Sequence, residues 1–130
     1  MALLLPPFPN VQVLIVDCLE QVLPGSVTVV TRTPVNLQEL VEDGGLVRVQ
    51  RVGGDDDGIT DTPRVVVDVY GADYDTTWTL AEQVREELRA SVGKVDNFRT
   101  EVGPHEIPYT DPTLRLISAV YRVSVRRPRQ

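Results

Sequence analysis

The only histidine of the chain, His105, is the first candidate for acid–base chemistry. It stands beside Glu106 in a proline-flanked segment, and an imidazole can act as a general base when a partner group and a pocket accompany it. No serine or cysteine nucleophile stands in a recognisable setting in this sequence. We therefore predict that His105 is a surface or interface residue and that the protein is not an enzyme.

The acidic run Asp55–Asp56–Asp57–Gly58, followed by Asp61, is the candidate for a metal site. A calcium loop of the EF-hand type places carboxylates at alternate positions and closes with a glutamate between two helices. Here the aspartates are consecutive and the flanking segments have strand patterns. One cysteine, Cys18, and one histidine cannot by themselves form a zinc site. The glycine pairs lack phosphate-binding spacing, so we expect no metal and no cofactor.

Three aromatic residues, Tyr70, Tyr74 and Trp78, could form a platform for a small ligand. The alternative is that Trp78, near the start of a helix, anchors that helix on a sheet. We favour the anchor. A small ligand-binding or regulatory domain remains a competing interpretation, which ligand-dependent quenching of the single tryptophan would support.

Length and charge limit the possible functions further. The 130 residues suffice for one ordinary domain, and the net charge of −6 argues against a dedicated nucleic-acid binder. The charge is uneven, with aspartates at 55–57 and arginines near the carboxyl terminus. Opposed patches suit head-to-tail assembly of like subunits, although a solvated surface also explains them. No segment has the length of apolar sequence that a membrane span needs.

The elements that would position these residues are centred on residues 63–92. A valine-rich run at 65–70 predicts a buried strand, and Asp75 or Thr76 is the expected cap of the helix that follows. One stripe of this helix, at helical spacing, is predicted to lie on the sheet: Thr77, Leu80, Ala81, Val84, Leu88, Ser91 and Val92.

The remaining pattern predicts a helix that begins after Asn10 and ends at Pro24–Gly25, with Cys18 on its buried stripe. Strands are predicted at 27–33, 46–52, 94–103 and 113–126, a short helical turn within 34–43, and loops at 53–62 and 103–112. The fold class is therefore α+β, with a mainly antiparallel sheet and two helices packed on one face. Residues 1–9 form an apolar, proline-rich arm, 10–126 the domain, and 127–130 a basic tail.

The whole chain resembles the tail terminator proteins of long-tailed, siphovirus-type phages, in particular those that infect actinobacteria. The stretches that carry the resemblance are MALLLPPFPNVQVLIVDCL, GGLVRVQRVGGDDDGITDTPRVVVDVYG, YDTTWTLAEQVREELR and the closing VSVRRPRQ. The resemblance implies a structural protein of the virion tail and neck, assembled in the cytoplasm of the bacterial host. Its subunits would form a hexameric ring on the head-proximal end of the tail tube.

Such a ring would stop polymerisation of the tube protein and provide the surface that the head-closure or connector complex joins. DNA would pass through its lumen without specific binding, and no membrane would be involved. Another neck component, a head-closure or tail-completion protein, is the nearest alternative.

Within this interpretation two sets of residues are predicted to make contacts. The loop that docks on the tail tube or an adjacent ring comprises Gly53, Gly54, Asp55, Asp56, Asp57, Gly58 and Ile59. The subunit interface comprises Arg48, Arg51, Arg64, Asp68, Arg122 and Arg126.

Overall fold

The computed structural model describes residues 7–91 and 97–126. In these residues the helices and strands are α1 (Val11–Val22), β1 (Thr28–Val30), α2 (Leu37–Asp43), β2 (Leu46–Asp56), β3 (Thr60–Gly71), α3 (Tyr74–Ser91), β4 (Asn97–Ile107) and β5 (Arg115–Arg126). The strands form one sheet in the order β1-β2-β3-β5-β4. Strand β1 runs parallel to β2, and the other neighbouring pairs are antiparallel.

The predicted α+β class and the order of elements are confirmed, with a mixed sheet because β1 is parallel to its neighbour. The prediction of two helices on one face is incomplete, because the predicted turn at 34–43 contains a third helix, α2. The basic tail at 127–130, most of the arm and Val92 lie outside the described residues.

Helices α1 and α3 share the main hydrophobic core with one face of the sheet. Alternate residues of a strand point to the same face, and here these are odd-numbered positions such as Val47, Val67 and Tyr121. From the helices, Ile15, Leu19, Val84 and Leu88 are buried in the same cluster. The alternation predicted for the last strand is therefore confirmed.

Helix α2 packs with even-numbered strand positions, on the opposite face of the sheet. Its Leu37 and Val41 belong to a second cluster with Leu46, Tyr70 and Leu114. This helix has only seven residues. It therefore covers only a small part of this face, at one end of the strands. The remainder of that face carries Arg48, Gln50, Arg64, Asp68 and Arg122, and we call it the open face.

The observed caps of α1 and α3 can be compared with the predicted ones. The Asn10 side chain accepts a hydrogen bond from the Val13 N–H at 3.3 Å, so the predicted cap of α1 is confirmed. For α3 the cap is Asp73, which accepts from the Thr76 N–H at 2.9 Å, and the prediction of Asp75 or Thr76 was wrong. The helix begins one turn earlier than its apolar stripe suggested. Cys18 is half-buried rather than fully buried.

Candidate functional site

The segment 53–62, predicted as a loop, is instead the end of a β-hairpin. Strands β2 and β3 stay paired as far as Asp56 and Asp61, which leaves only Asp57–Ile59 to connect them. Glycine and aspartate disfavour strands, but pairing with β3 overrides that preference. Gly54 has a φ of +114°, and a Cβ there would collide with the Thr62 carbonyl oxygen, so the register shift in β2 needs glycine.

An ion pair holds the base of this hairpin. The Arg51 guanidinium donates to both carboxylate oxygens of Asp61, at 2.5 and 2.8 Å, and the Asp61 side chain is buried. Hydrogen bonding to Asp61 raises the pKa of the Arg51 guanidinium. The Arg51 backbone N–H also donates to the Gln12 side chain at 2.9 Å. The hairpin is thus fastened to α1 as well as to itself.

The tip of the hairpin is both ordered and exposed. The Asp57 carboxylate accepts hydrogen bonds from the Ile59 and Thr60 N–H groups at 2.9 and 2.7 Å, and these bonds lower its pKa. Asp56 accepts from the Gly58 N–H at 2.9 Å. The Ile59 side chain is 68% exposed. The tip therefore presents carboxylates beside an apolar side chain.

The predicted interface residues Arg48 and Asp68 form an ion pair with each other on the open face. The Arg48 guanidinium also donates to Thr33 Oγ1 at 2.6 Å and lies over the Tyr70 ring at 5.8 Å. These contacts join the segment after β1 to the sheet within one chain. Of the predicted set, Arg51 lies apart from them at the hairpin base.

The other predicted interface residues cluster toward the hairpin end of the open face. Arg64 Nε donates to Glu101 at 2.8 Å, and Arg122 Nε lies 3.6 Å from the same carboxylate. Arg126 is in register with Thr60 at the end of β5. Sequence reasoning missed Arg99, which is exposed and is the register partner of Arg122. No local motif marks it, since only strand pairing brings it there.

His105 and Glu106 do not form a catalytic pair. They lie on β4, which continues to Ile107 through part of the predicted 103–112 loop. The exposed His105 ring contacts the Gly103 carbonyl oxygen at 2.9 Å, whereas Glu106 pairs with Arg115 at 3.0 Å. Neighbouring residues of a strand point to opposite sides, which explains their separation. Irregular register around Val102 accommodates Pro104 in this edge strand.

The aromatic residues are divided between two places. Tyr74 and Trp78 stack at 6.1 Å near the start of α3, and Trp78 packs on the main core. Tyr70 instead contacts Tyr109 edge-on at 5.5 Å in the cluster on the other face. The three residues therefore do not line one site, and Trp78 anchors the helix as predicted.

Residues 7–91 and 97–126 show neither a metal-binding cluster nor a membrane-spanning helix. These ranges contain no group of three or more histidine, cysteine or acidic side chains placed to hold a metal ion. Within the same ranges, none of the helices combines the length and apolar character that crossing a membrane requires.

Comparison with known proteins assigns the chain to a family. The family model described as phage tail termination protein matches residues 7–130. No curated protein sequence matches the chain. Among solved structures, a chain from the virion of a native gene transfer agent particle has 18% identity and a TM-score of 0.42, covering 76% of this chain and 78% of that one. Because the family model spans nearly the whole sequence, the protein belongs to the phage tail termination proteins, which are structural, non-enzymatic components of the virion tail and neck.

Proposed function

We propose that this protein is the subunit of a hexameric ring that caps the head-proximal end of the tail tube. The ring stops addition of tube protein and presents the surface to which the head-closure or connector complex attaches. DNA passes through its lumen without specific binding. The observation that carries the proposal is the family match over residues 7–130. The particle would be of the siphovirus type.

The sheet edges support assembly into a ring. In the described part of the chain, β1 and β4 each have a neighbouring strand on one side only. Unpaired strand edges expose backbone N–H and C=O groups that invite pairing with other chains. Contact between like subunits would cover these edges in the assembled particle.

The hairpin tip, Gly53–Ile59, is the proposed docking element for a neighbouring component of the assembly. Its hydrogen-bonded turn and the Arg51–Asp61 pair restrict its conformation. A preordered element loses little conformational entropy when it binds. Such an element suits a contact that must form reproducibly at every subunit.

The open-face arginines are the proposed subunit interface. On this face Arg48 pairs with Asp68 inside the subunit. Arg51, predicted for the same interface, instead pairs with Asp61 on the side of the sheet that the main core covers, since its register partner Val65 belongs to that core. Arg64, Arg122 and Arg126 lie closer to the hairpin end and are the ones we propose to face a neighbour. Charge complementarity of this kind fixes the orientation and register of an interface.

Two alternative functions can be distinguished from the proposed one by experiment. Another neck component, a head-closure or tail-completion protein, shares the ring-forming logic. A small ligand-binding domain is less well supported, because Tyr70 and Trp78 belong to different clusters.

The experiment that tests the function compares tail tubes from particles made with and without this protein. Loss of a terminator gives overlong tubes, whereas loss of a closure protein leaves tails of normal length and heads that leak. Purified protein added to growing tubes should restore their normal length. The mass of the complex on the tube ends then measures the number of subunits, and any value other than six would refute the hexamer.

A further inference from the structure

Three arginines stand directly opposite one another across three adjacent strands of the open face. Arg64 on β3 is in register with Arg122 on β5, and Arg122 is in register with Arg99 on β4. Adjacent strands lie about 4.8 Å apart, so the three side chains emerge from a strip about 10 Å wide. We call them the arginine row. Like charges directly opposite each other in a sheet are destabilising. A bound anion would therefore stabilise such a row.

The described residues supply only part of that anion. Glu101 binds Arg64 closely, but the nearest carboxylates to Arg122 are those of Glu101 at 3.6 Å and Asp55 at 3.9 Å. The buried Nε atom of Arg122 has no hydrogen-bond partner among the described residues. Arg99 is exposed, with no ion pair to any residue that the structure describes. Within residues 7–91 and 97–126 the row is thus under-neutralised, in a chain of net charge −6.

A row of valines lies immediately beside the arginines. Val66, Val120 and Val102 are register partners across the same three strands. They lie two residues from the arginines along β3 and β5, and three along β4, where the register shifts. Val102 is 41% exposed, and the other two are half-buried. A partner that fits this surface must carry carboxylates next to an exposed apolar side chain.

The hairpin tip has that composition. Asp55, Asp56 and Asp57 are exposed, and Ile59 is two residues beyond them. The tip cannot fold onto the face of its own sheet, because β2 and β3 remain paired as far as Asp56 and Asp61 and so extend the sheet at its end. Its own Asp55 reaches Arg122 only at 3.9 Å. A second copy of the chain can supply the tip without this restriction.

We propose that the acidic hairpin tip of one subunit docks on the arginine row and the adjoining valine row of the next subunit. This inference rests on the proposed function, in which the tip and this face are contact surfaces. The aspartates would meet Arg99 and Arg122, and Ile59 would cover Val102. A contact in which the tip of each subunit meets the face of the next is head-to-tail, and a rotation that closes makes a ring.

The test uses the full chain with one charge reversed on each surface. Arg99→Glu changes the face without breaking an ion pair within the described chain. Asp55→Lys keeps the hydrogen bonds of the turn and removes only the 3.9 Å pair with Arg122 of the same subunit. Matched controls are Arg32→Glu and Glu20→Lys, which reverse exposed charges elsewhere. Sedimentation measures self-association, and the same variants are assayed on purified tail tubes.

Each reversal should weaken association between subunits by roughly tenfold or more, while the controls stay within about twofold of the unmodified protein. A mixture of the two variants should also recover association, because each tip then meets a face of opposite charge on the other variant. The chain carrying both reversals should recover association. Equal effects of the variants and the controls would overturn the proposal.

Cysteine cross-linking tests the contact even where subunits associate only on tubes. In a Cys18→Ala background, Asp55→Cys and Arg99→Cys in one chain should yield a ladder of linked subunits with a short bismaleimide. Absence of the ladder on capped tubes, or links from the tip to the tube protein, would overturn the proposal. Failure of the proposed function would appear separately, as tube lengths that do not depend on the protein.

Discussion

Arg51 and Asp61 form a two-point ion pair across the β2–β3 hairpin, with N···O distances of 2.5 and 2.8 Å. The Asp61 side chain is 4% exposed, whereas that of Arg51 is 38% exposed. The pair joins the tip that we propose for docking to the core of the domain.

Replacing Arg51 by alanine should lower the free energy of unfolding by about 2 kcal/mol, because it leaves the buried Asp61 carboxylate without its charged partner. Urea denaturation measures the loss. Arg89→Ala is the control, since the Arg89–Glu86 pair is exposed on both sides and should contribute less than about 0.5 kcal/mol. Equal losses in the two variants would contradict the structural role of the hairpin pair.

Gly71 and Thr77 should show strong energetic coupling. A Cβ at position 71 would overlap Thr77 Oγ1, which donates to the Asp73 carbonyl oxygen at 2.5 Å. Gly71→Ala should therefore cost about 1–3 kcal/mol through overpacking. In a Thr77→Ala background the same change should cost much less, and a double-mutant cycle measures the difference. An additive cycle would show that the two residues do not conflict.

Tyr121 should make the protein sensitive to alkali. Burial raises the pKa of Tyr121 from 10.0 to about 12. Because the unfolded state releases the phenol proton first, this residue's contribution to stability is full below pH 10 and is lost as the pH rises from 10 to about 12. Tyr121→Phe keeps the stacking against Phe98 and should reduce that loss. An unchanged alkaline unfolding curve would exclude Tyr121 as its cause.

Asp73 should contribute to sensitivity at the acid end. Hydrogen bonds from the Thr76 N–H and hydroxyl lower the pKa of the Asp73 carboxyl below 3.8. A depressed pKa in the folded state gives stability that is present above the unfolded value and is lost as the pH falls through the folded one.

The acid unfolding curve should therefore be shallower for Asp73→Asn than for the unmodified protein below about pH 4. Asparagine still caps the helix, so the two proteins should be similar at pH 7. Asp73→Ala removes the cap and should be less stable than Asp73→Asn both at pH 7 and below about pH 4. If Asp73→Asn and Asp73→Ala behaved alike at pH 7, the side-chain cap would not be contributing.

Local periodicity was a sufficient guide to the elements that bury one stripe or one face. The helical spacing of Ala81, Val84 and Leu88, and the alternation along β5, each follow from the need to cover apolar side chains on one side. Fold class and the order of elements could both be predicted in this way. For α2 only a short helical turn was predicted, because a helix with two buried residues gives too short a pattern to show a clear period.

The hairpin and the arginine row depended on strand pairing, which a local pattern does not encode. Glycine and aspartate at 53–58 indicate a loop by propensity, yet pairing with β3 makes most of them strand residues. Arg99 lies 23 residues from Arg122 and 35 from Arg64 along the chain, but register places the three side by side.

By itself, the sequence determined the main helices and the buried stripe or face of each element, because these depend on residue type and short spacing. Only the tertiary structure decided which charges meet. A shift of one residue in the register of a strand moves every side chain to the other face. The surface that we propose for subunit contact therefore exists only once the strands are paired.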